Sequence, residues 1–265
     1  MDVSALLLRR GDRFEPTGAA RGPWNPNTLS GPVIAGLIGR TLEAQFGTDW
    51  LNFTRLTVDL FRQPPFAALT IATQLVRDGN RIRVADAIVA SGDIEIARGR
   101  GVLLRRSQEP PGEFWTPAPG LMPLPEDLGE GRRTQEAPIW EMKSAGGGLP
   151  VLAQTDGKTQ RRLWLRPLVS LIEGEKMTPF TRVALCADLT NPLANGGSQG
   201  VSFINADLTL YLQRLPAGEW IGLEVSGHAS ADGVAIGEAT VYDERGPIGK
   251  SLVAAIANQR SAPYA

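Results

Sequence analysis

A single cysteine, Cys186, and a single histidine, His228, remove several chemistries from this chain of 265 residues. One cysteine makes no intrachain disulfide, and a Cys/His pair is two ligands short of a structural zinc site, so any metal would have to rest on carboxylates. We expect neither metal nor cofactor. Cys186 lies between Leu185 and Ala187 in an apolar run, where packing is the expected role. His228, between Gly227 and Ala229, reads as an ordinary half-exposed histidine on a strand. An excess of charge of either sign is also lacking: 27 Lys+Arg against 28 Asp+Glu leave a net charge of −1. That provides no broad cationic face for a phosphate backbone, so no nucleic-acid partner is expected. No apolar run approaches the roughly 20 residues of a membrane-spanning helix, and the one around Leu6-Leu7-Leu8 is too short for a signal peptide. A cytoplasmic protein without membrane contact is the expectation. Nucleotide-binding signatures are missing too, since neither Gly99-Arg100-Gly101 nor Gly146-Gly147-Gly148 is followed by the required Lys or helix start.

Proline is present but unevenly placed. Eight of the 20 prolines fall between Ser107 and Pro150, together with the Gly146 to Gly148 run. Such a stretch predicts no regular ladder or helix. We read residues 107–150 as a connector between two units, 1–106 and 151–265, running along the surface with Trp115 and Trp140 docked.

The two flanking units look like copies of one another. Leu56-Thr57-Val58-Asp59-Leu60-Phe61-Arg62-Gln63-Pro64 matches Leu208-Thr209-Leu210-Tyr211-Leu212-Gln213-Arg214-Leu215-Pro216 at an offset of 208 − 56 = 152. The same offset aligns Asp86-Ala87-Ile88-Val89 with Glu238-Ala239-Thr240-Val241, and Ile96-Ala97-Arg98 with Ile248-Gly249-Lys250. Three matches in one register point to a domain repeated once. In the first copy Ile34, Leu37, Ile38, Thr41 and Leu42 give one helix face, with Ser30 as N-cap and Gly47 as stop. Strands are predicted at 56–61, 69–76, 82–90 and 94–104, with hairpin turns at Asp78-Gly79-Asn80 and Ser91-Gly92-Asp93. In the second copy Thr178-Pro179 starts a helix that Asn191-Pro192 ends, and strands are predicted at 203–213, 220–229, 234–242 and 248–257. A helix followed by four antiparallel strands, occurring twice, predicts an α+β protein in which each long helix is wrapped by a curved sheet: a tandem, or double, hotdog. A lone unit leaves its helix covered on one side and its sheet edges open, so two linked copies would pair as a pseudo-dimer.

With its helix entry at Leu29-Ser30-Gly31-Pro32, the strand ending in Arg62-Gln63-Pro64, the Asp-Gly hairpin, the proline-rich connector, Asp188 and Tyr211-Leu212-Gln213-Arg214, the chain resembles the double-hotdog acyl-CoA thioesterases, the thioesterase II-like family. The resemblance implies hydrolysis of acyl-CoA to free acid and coenzyme A. It also implies a polar trio in the second copy: an Asp near the helix end, a Thr or Ser on the next strand, and a Gln on the last strand. It places Asp188 on the Asp, Asn205 where Thr or Ser is expected, and Ala254 where Gln is expected. Asp188 would hold and activate water, with Asn205 orienting it. Loss of the Gln would remove one donor, worth roughly 10²-fold or more if it lay on the developing charge. Coenzyme A phosphates would meet arginines at the pocket mouth, which the sequence does not single out. Subtracting 152 from 188, 205 and 254 gives Gly36, Phe53 and Val102, so a single site is expected.

Three other readings compete. A dehydratase or hydratase of the same fold would want an Asp/His pair or a hydratase motif on the helix, whereas the only His here lies on a predicted strand. Gly196-Gly197-Ser198-Gln199-Gly200 matches the serine nucleophile elbow, with Asp207 and His228 following, but a loop precedes Ser198 and a strand follows, where an elbow needs a strand and then a helix. The strongest rival is a non-catalytic acyl-CoA-binding double hotdog that has lost part of its trio. Trp24, Trp50 and the sheet edges leave room for homo-oligomers, either dimers or tetramers.

Overall fold

The computed structural model describes residues 4–22, 25–116, 122–131, 139–144 and 156–258. Trp24, Pro117, Pro119, Pro138, Pro150 and the Gly146 to Gly148 run lie outside them. In chain order the elements are β1 (Ala5–Arg10), β2 (Arg13–Pro16), α1 (Gly31–Phe46), β3 (Leu51–Leu60), β4 (Leu69–Asp78), β5 (Ile82–Ser91), β6 (Ile94–Arg105), β7 (Trp140–Ser144), β8 (Arg162–Pro167), β9 (Ser170–Ile172), α2 (Pro179–Ala187), α3 (Thr190–Ala194), β10 (Gly196–Gly197), β11 (Gly200–Val201), β12 (Phe203–Asn205), β13 (Asp207–Leu212), β14 (Ile221–Ala231), β15 (Val234–Asp243) and β16 (Gly246–Ala257). Fourteen strands form one sheet, ordered β7-β8-β14-β15-β16-β13-β3-β6-β5-β4-β2-β1-β9, with β12 also on β16. Among the described residues no helix is long and apolar enough to cross a membrane.

The predicted strands recur with their ends moved by a few residues, because alternating burial and the intervening glycine turns mark them clearly. Along β5 the inward residues Ala85, Ala87 and Val89 are buried and their neighbours are not. At the β14–β15 turn Asp232 (φ 51°) and Gly233 (φ 78°) both take the left-handed region that a tight two-residue hairpin requires. The two halves meet where β3 pairs antiparallel with β13, and there Thr57 lies opposite Thr209. Those two residues are equivalents in the 152-residue repeat. Residues 152 apart thus lie face to face, as residues related by a local two-fold axis do.

Inside the sheet the helices stack on one another. A Cβ on Gly39 of α1 would stand 2.9 Å from the Ala184 Cβ of α2, so the glycine allows the close approach of the two helices. Phe53 of the first half stacks on Phe180 of the second, ring centroids 4.2 Å apart. With Leu37, Ile38 and Leu42 from α1 and Val183 and Leu185 from α2 they form a core shared by both halves.

Several sequence expectations are corrected. The second helix does not run to Asn191: α2 ends at Ala187 and a short α3 follows. The cause is Pro192, which has no N–H to give the carbonyl four residues back and whose ring crowds it; that carbonyl belongs to Asp188, where the helix breaks. The strand expected at 203–213 is interrupted at Ala206, leaving β12 and β13. The segment read as unable to form a ladder contains β7, which pairs with β8 and buries Trp140, while Trp115 is 88% exposed and docks nowhere. No strand is predicted ahead of residue 56, yet Leu6 to Leu8 lie in β1, with Leu6 and Leu7 buried, bracketed by β2 and the parallel β9. Finally, the strands keep the 152 offset but the helices start 179 − 31 = 148 residues apart. The α1 counterpart of Asp188 is then 188 − 148 = 40, the ion-paired Arg40, rather than Gly36.

Candidate active site

The break at Asp188 turns a helix side chain into a site. Leaving the helix there directs Asp188 toward the start of α1, where a Cβ on Gly31 would lie 3.0 Å from the Asp188 Cγ and closer still to Oδ2. Only glycine at that place lets the carboxylate approach. Asn205, the last residue of β12, donates from Nδ2 to Asp188 Oδ1 at 2.8 Å. The interruption that follows is itself anchored: Ala206 N–H donates to the Ala254 carbonyl, and the Ala206 carbonyl accepts from Leu60 N–H, both at 2.8 Å. The structure therefore brings the two residues singled out in the sequence, Asp188 and Asn205, into direct contact.

Asp188 is only 6% exposed. Burial pushes its carboxyl pKa up to about 6, with the Asn205 hydrogen bond pulling the other way. The first turn of the 16-residue α1, with Pro32 at its start, brings the positive end of that helix to the same place. Behind Asp188, Thr190 donates to Ser251 Oγ (2.8 Å) and Ser251 to the Ala187 carbonyl (3.2 Å), tying the broken helix to β16 through buried hydroxyls.

Asp188 and Asn205 open onto a cavity of about 320 Å³ at the seam between the halves. Its walls are largely apolar, including Leu29, Phe61, Leu189, Ile204 and Ile256. Three further polar residues line it to which the sequence assigns no part in the chemistry: Arg62 and Gln63 from the loop after β3, and Asn191 from α3. A signal for Arg62 existed in the repeat, since its copy Arg214 is committed to an ion pair with Asp243. Ala254 is not part of the lining. It pairs with Ile236 in the β15–β16 ladder and gives its N–H to Asp207 Oδ1 at 2.6 Å.

The alternative nucleophiles fare differently. Ser198 is exposed at the tip of the β10–β11 hairpin, with only the two-residue β10 before it and strands, not a helix, after it. His228 is exposed on β14 and bonds Asn195, and Asp207 is used by the Ala254 amide. Cys186 is fully buried, which pushes its thiol pKa far up and leaves it a packing residue.

A model of the acyl-CoA thioesterase C-terminal domain matches residues 113–252. Among solved structures the chain is similar to a TesB protein of Mycobacterium avium subspecies paratuberculosis, with 14% identity over 95% of each chain and a TM-score of 0.68. It is similar also to an acyl-CoA thioesterase II of Mycobacterium marinum, 13% identical over 96% of each chain with a TM-score of 0.62. A protein of unknown function with hot dog fold from Alicyclobacillus acidocaldarius is 12% identical over 96% of each chain, with a TM-score of 0.71. Comparison with curated proteins gave no match. The structural likenesses show a sheet-dominated α+β hotdog fold.

Proposed function

The chain belongs to the acyl-CoA thioesterase C-terminal domain family, and from that premise we propose that it hydrolyses acyl-CoA thioesters, with Asp188 as the base that activates water. We read residues 1–106 and 151–265 as two hotdogs in tandem, 107–150 as their connector, and the seam cavity as the acyl site. The observation that carries this reading is the buried Asp188 carboxylate, held by Asn205 and open to an apolar cavity.

In this reading the acyl chain lies against Leu189, Ile204 and Ile256, with the thioester beside Asp188. Asn205 keeps Oδ1 occupied, so Oδ2 is the oxygen that takes a proton from water. As the water oxygen bonds to the carbonyl carbon, the carbonyl electrons move onto oxygen near the positive end of α1. The tetrahedral carbon then expels the sulfur, the C–S bond breaks, and the proton held by Asp188 passes to the coenzyme A thiolate. A base with a pKa near 6 is ionised at neutral pH yet returns its proton readily, which suits both halves of the step. Arg62, exposed at the rim of the cavity, would meet a phosphate of coenzyme A.

The test is thiol release from a panel of short, medium and long acyl-CoA substrates, with Asp188→Ala beside the wild type. Hydrolysis that vanishes in the folded variant supports the reading and reports the preferred chain length. Acyl-CoA that binds without release of thiol would replace it with the non-catalytic reading.

A further inference from the structure

The lone histidine has no part in the hydrolysis set out above, yet side-chain amides connect it to the cavity. His228 Nδ1 stands 2.8 Å from Asn195 Oδ1. Asn195, buried, donates from Nδ2 to Asn191 Oδ1 at 3.0 Å, and Asn191, also buried, donates from Nδ2 to the Phe203 carbonyl at 3.0 Å. Each amide accepts through oxygen and donates through nitrogen, so the run has one sense and requires the hydrogen of His228 to be on Nδ1. Dipoles aligned in that sense polarise one another, with the positive end at Asn191 Nδ2. The path is built into the fold. A Cβ on Gly237 of β15 would stand 2.9 Å from Asn195 Oδ1, so a glycine leaves room for the amide. Arg161 donates to the carbonyls of Pro192 and Leu193, holding α3 in place. Phe203 packs edge-on to the His228 ring at 6.2 Å.

Asn191 Nδ2 carries two hydrogens and the Phe203 carbonyl takes one, while Asn191 lines the same cavity as Asp188 and Asn205. We propose that Asn191 gives its second Nδ2 hydrogen to the thioester carbonyl oxygen and is the donor that stabilises the oxyanion, with Asn195 and His228 as positioning residues that keep the amide in its donating orientation. This rests on the hydrolytic reading above. No proton travels along the run. The hydrogen bond strengthens as water adds and the carbonyl electrons move to oxygen, and it relaxes as they return and the C–S bond breaks. With no donor at position 228 the Asn195 amide is free to turn over; its oxygen then meets Asn191 Oδ1, and the Asn191 amide, left with the Phe203 carbonyl alone to hold it, shifts from its donating position.

The experiment is steady-state thiol release by the full chain carrying Asn191→Ala, His228→Phe or His228→Asn. It is paired with inhibition by two coenzyme A analogues: a trifluoromethyl ketone, which forms a tetrahedral adduct, and an alkyl thioether, which has no carbonyl. Removal of an oxyanion donor costs about 10²-fold to 10³-fold in kcat, so Asn191→Ala is expected in that range with KM nearly unchanged. Removal of the positioning donor in His228→Phe is expected to lower kcat about 10-fold, a part of that donor's full effect. His228→Asn, whose Nδ2 takes the place of the ring Nδ1, is expected to restore kcat. The ketone should weaken in step with kcat and the thioether should not. Since His228 is on the surface, its variants decide the matter even if Asn191→Ala does not fold. Wild-type kcat in His228→Phe, or no rescue by His228→Asn, overturns the inference while leaving hydrolysis at Asp188 intact. A wild type that releases no thiol, or an Asp188→Ala that still does, removes the underlying reading and the inference with it.

Discussion

Asp188→Asn should make the protein more stable while disabling it. Burial raises this carboxyl from 3.8 to about 6, so at neutral pH the fold holds a charge that it disfavours. The shift of about 2 pKa units, at 1.36 kcal/mol each, sets a ceiling of about 3 kcal/mol on the penalty. Between the two pKa values the folded protein binds more protons than the unfolded chain, so the penalty is complete above about pH 6 and fades as the pH falls toward 4. Asparagine keeps an oxygen for Asn205 Nδ2 and carries no charge. Allowing for the cost of its own buried amide, the variant should exceed the wild type by about 1–3 kcal/mol at pH 7.5 and by about 2 kcal/mol less than that at pH 4.5. Urea unfolding of both proteins at the two pH values measures the gap. An Asp188→Asn protein less stable than the wild type at pH 7.5, or a gap that does not change with pH, would show that the carboxylate is not held against its preference.

Other changes test the surroundings of that carboxylate. Gly31→Ala forces a methyl group into the Asp188 side chain, and should cost about 1–3 kcal/mol and most of the activity. Combining it with Asp188→Ala should recover the lost stability, and strict additivity of the two in thermal unfolding would deny the contact. Arg62→Ala should raise KM for acyl-CoA about 10-fold, the loss of one charge-assisted contact, with little change in kcat; an unchanged KM for acyl-CoA would remove Arg62 from the phosphate site. Ser198→Ala, at an exposed hairpin tip, should leave thiol release at the wild-type rate, whereas its loss would reopen the serine-hydrolase reading.

Much of the fold is legible in the sequence because its strands advertise themselves twice. Alternation, glycine turns and the 152-residue offset all describe the same four strands in each half, and the Thr57–Thr209 pair shows that the offset has a geometric meaning. The helices do not share that offset. Connections of different length precede them, so subtracting 152 lands on Gly36 when the helix itself aligns Asp188 with Arg40. Pro192 is visible as a helix terminator, but its effect falls four residues upstream, at a carbonyl to which it has no N–H to give, and this is what turns Asp188 out of the helix toward the start of α1. The strand β7 was hidden because the prolines around it describe the segment's ends and not Trp140–Ser144. At the site, the sequence resemblance reached Asp188 and Asn205, which lie close along the chain. Arg62 and Gln63 join them from the other half only because β3 pairs with β13, a contact that no local pattern reports. Ala254, aligned with the family glutamine, turned out to sit outside the cavity lining.

The most direct test of Asp188 as a base acting on water is one turnover with enzyme in excess over acyl-CoA in ¹⁸O-labelled water, followed by mass analysis of both the released acid and the protein. Water attack predicts one labelled oxygen in the acid and none in the Asp188 carboxylate. Label in Asp188 with an unlabelled acid from that first turnover would mean that the carboxylate itself attacks the thioester, and would contradict the account.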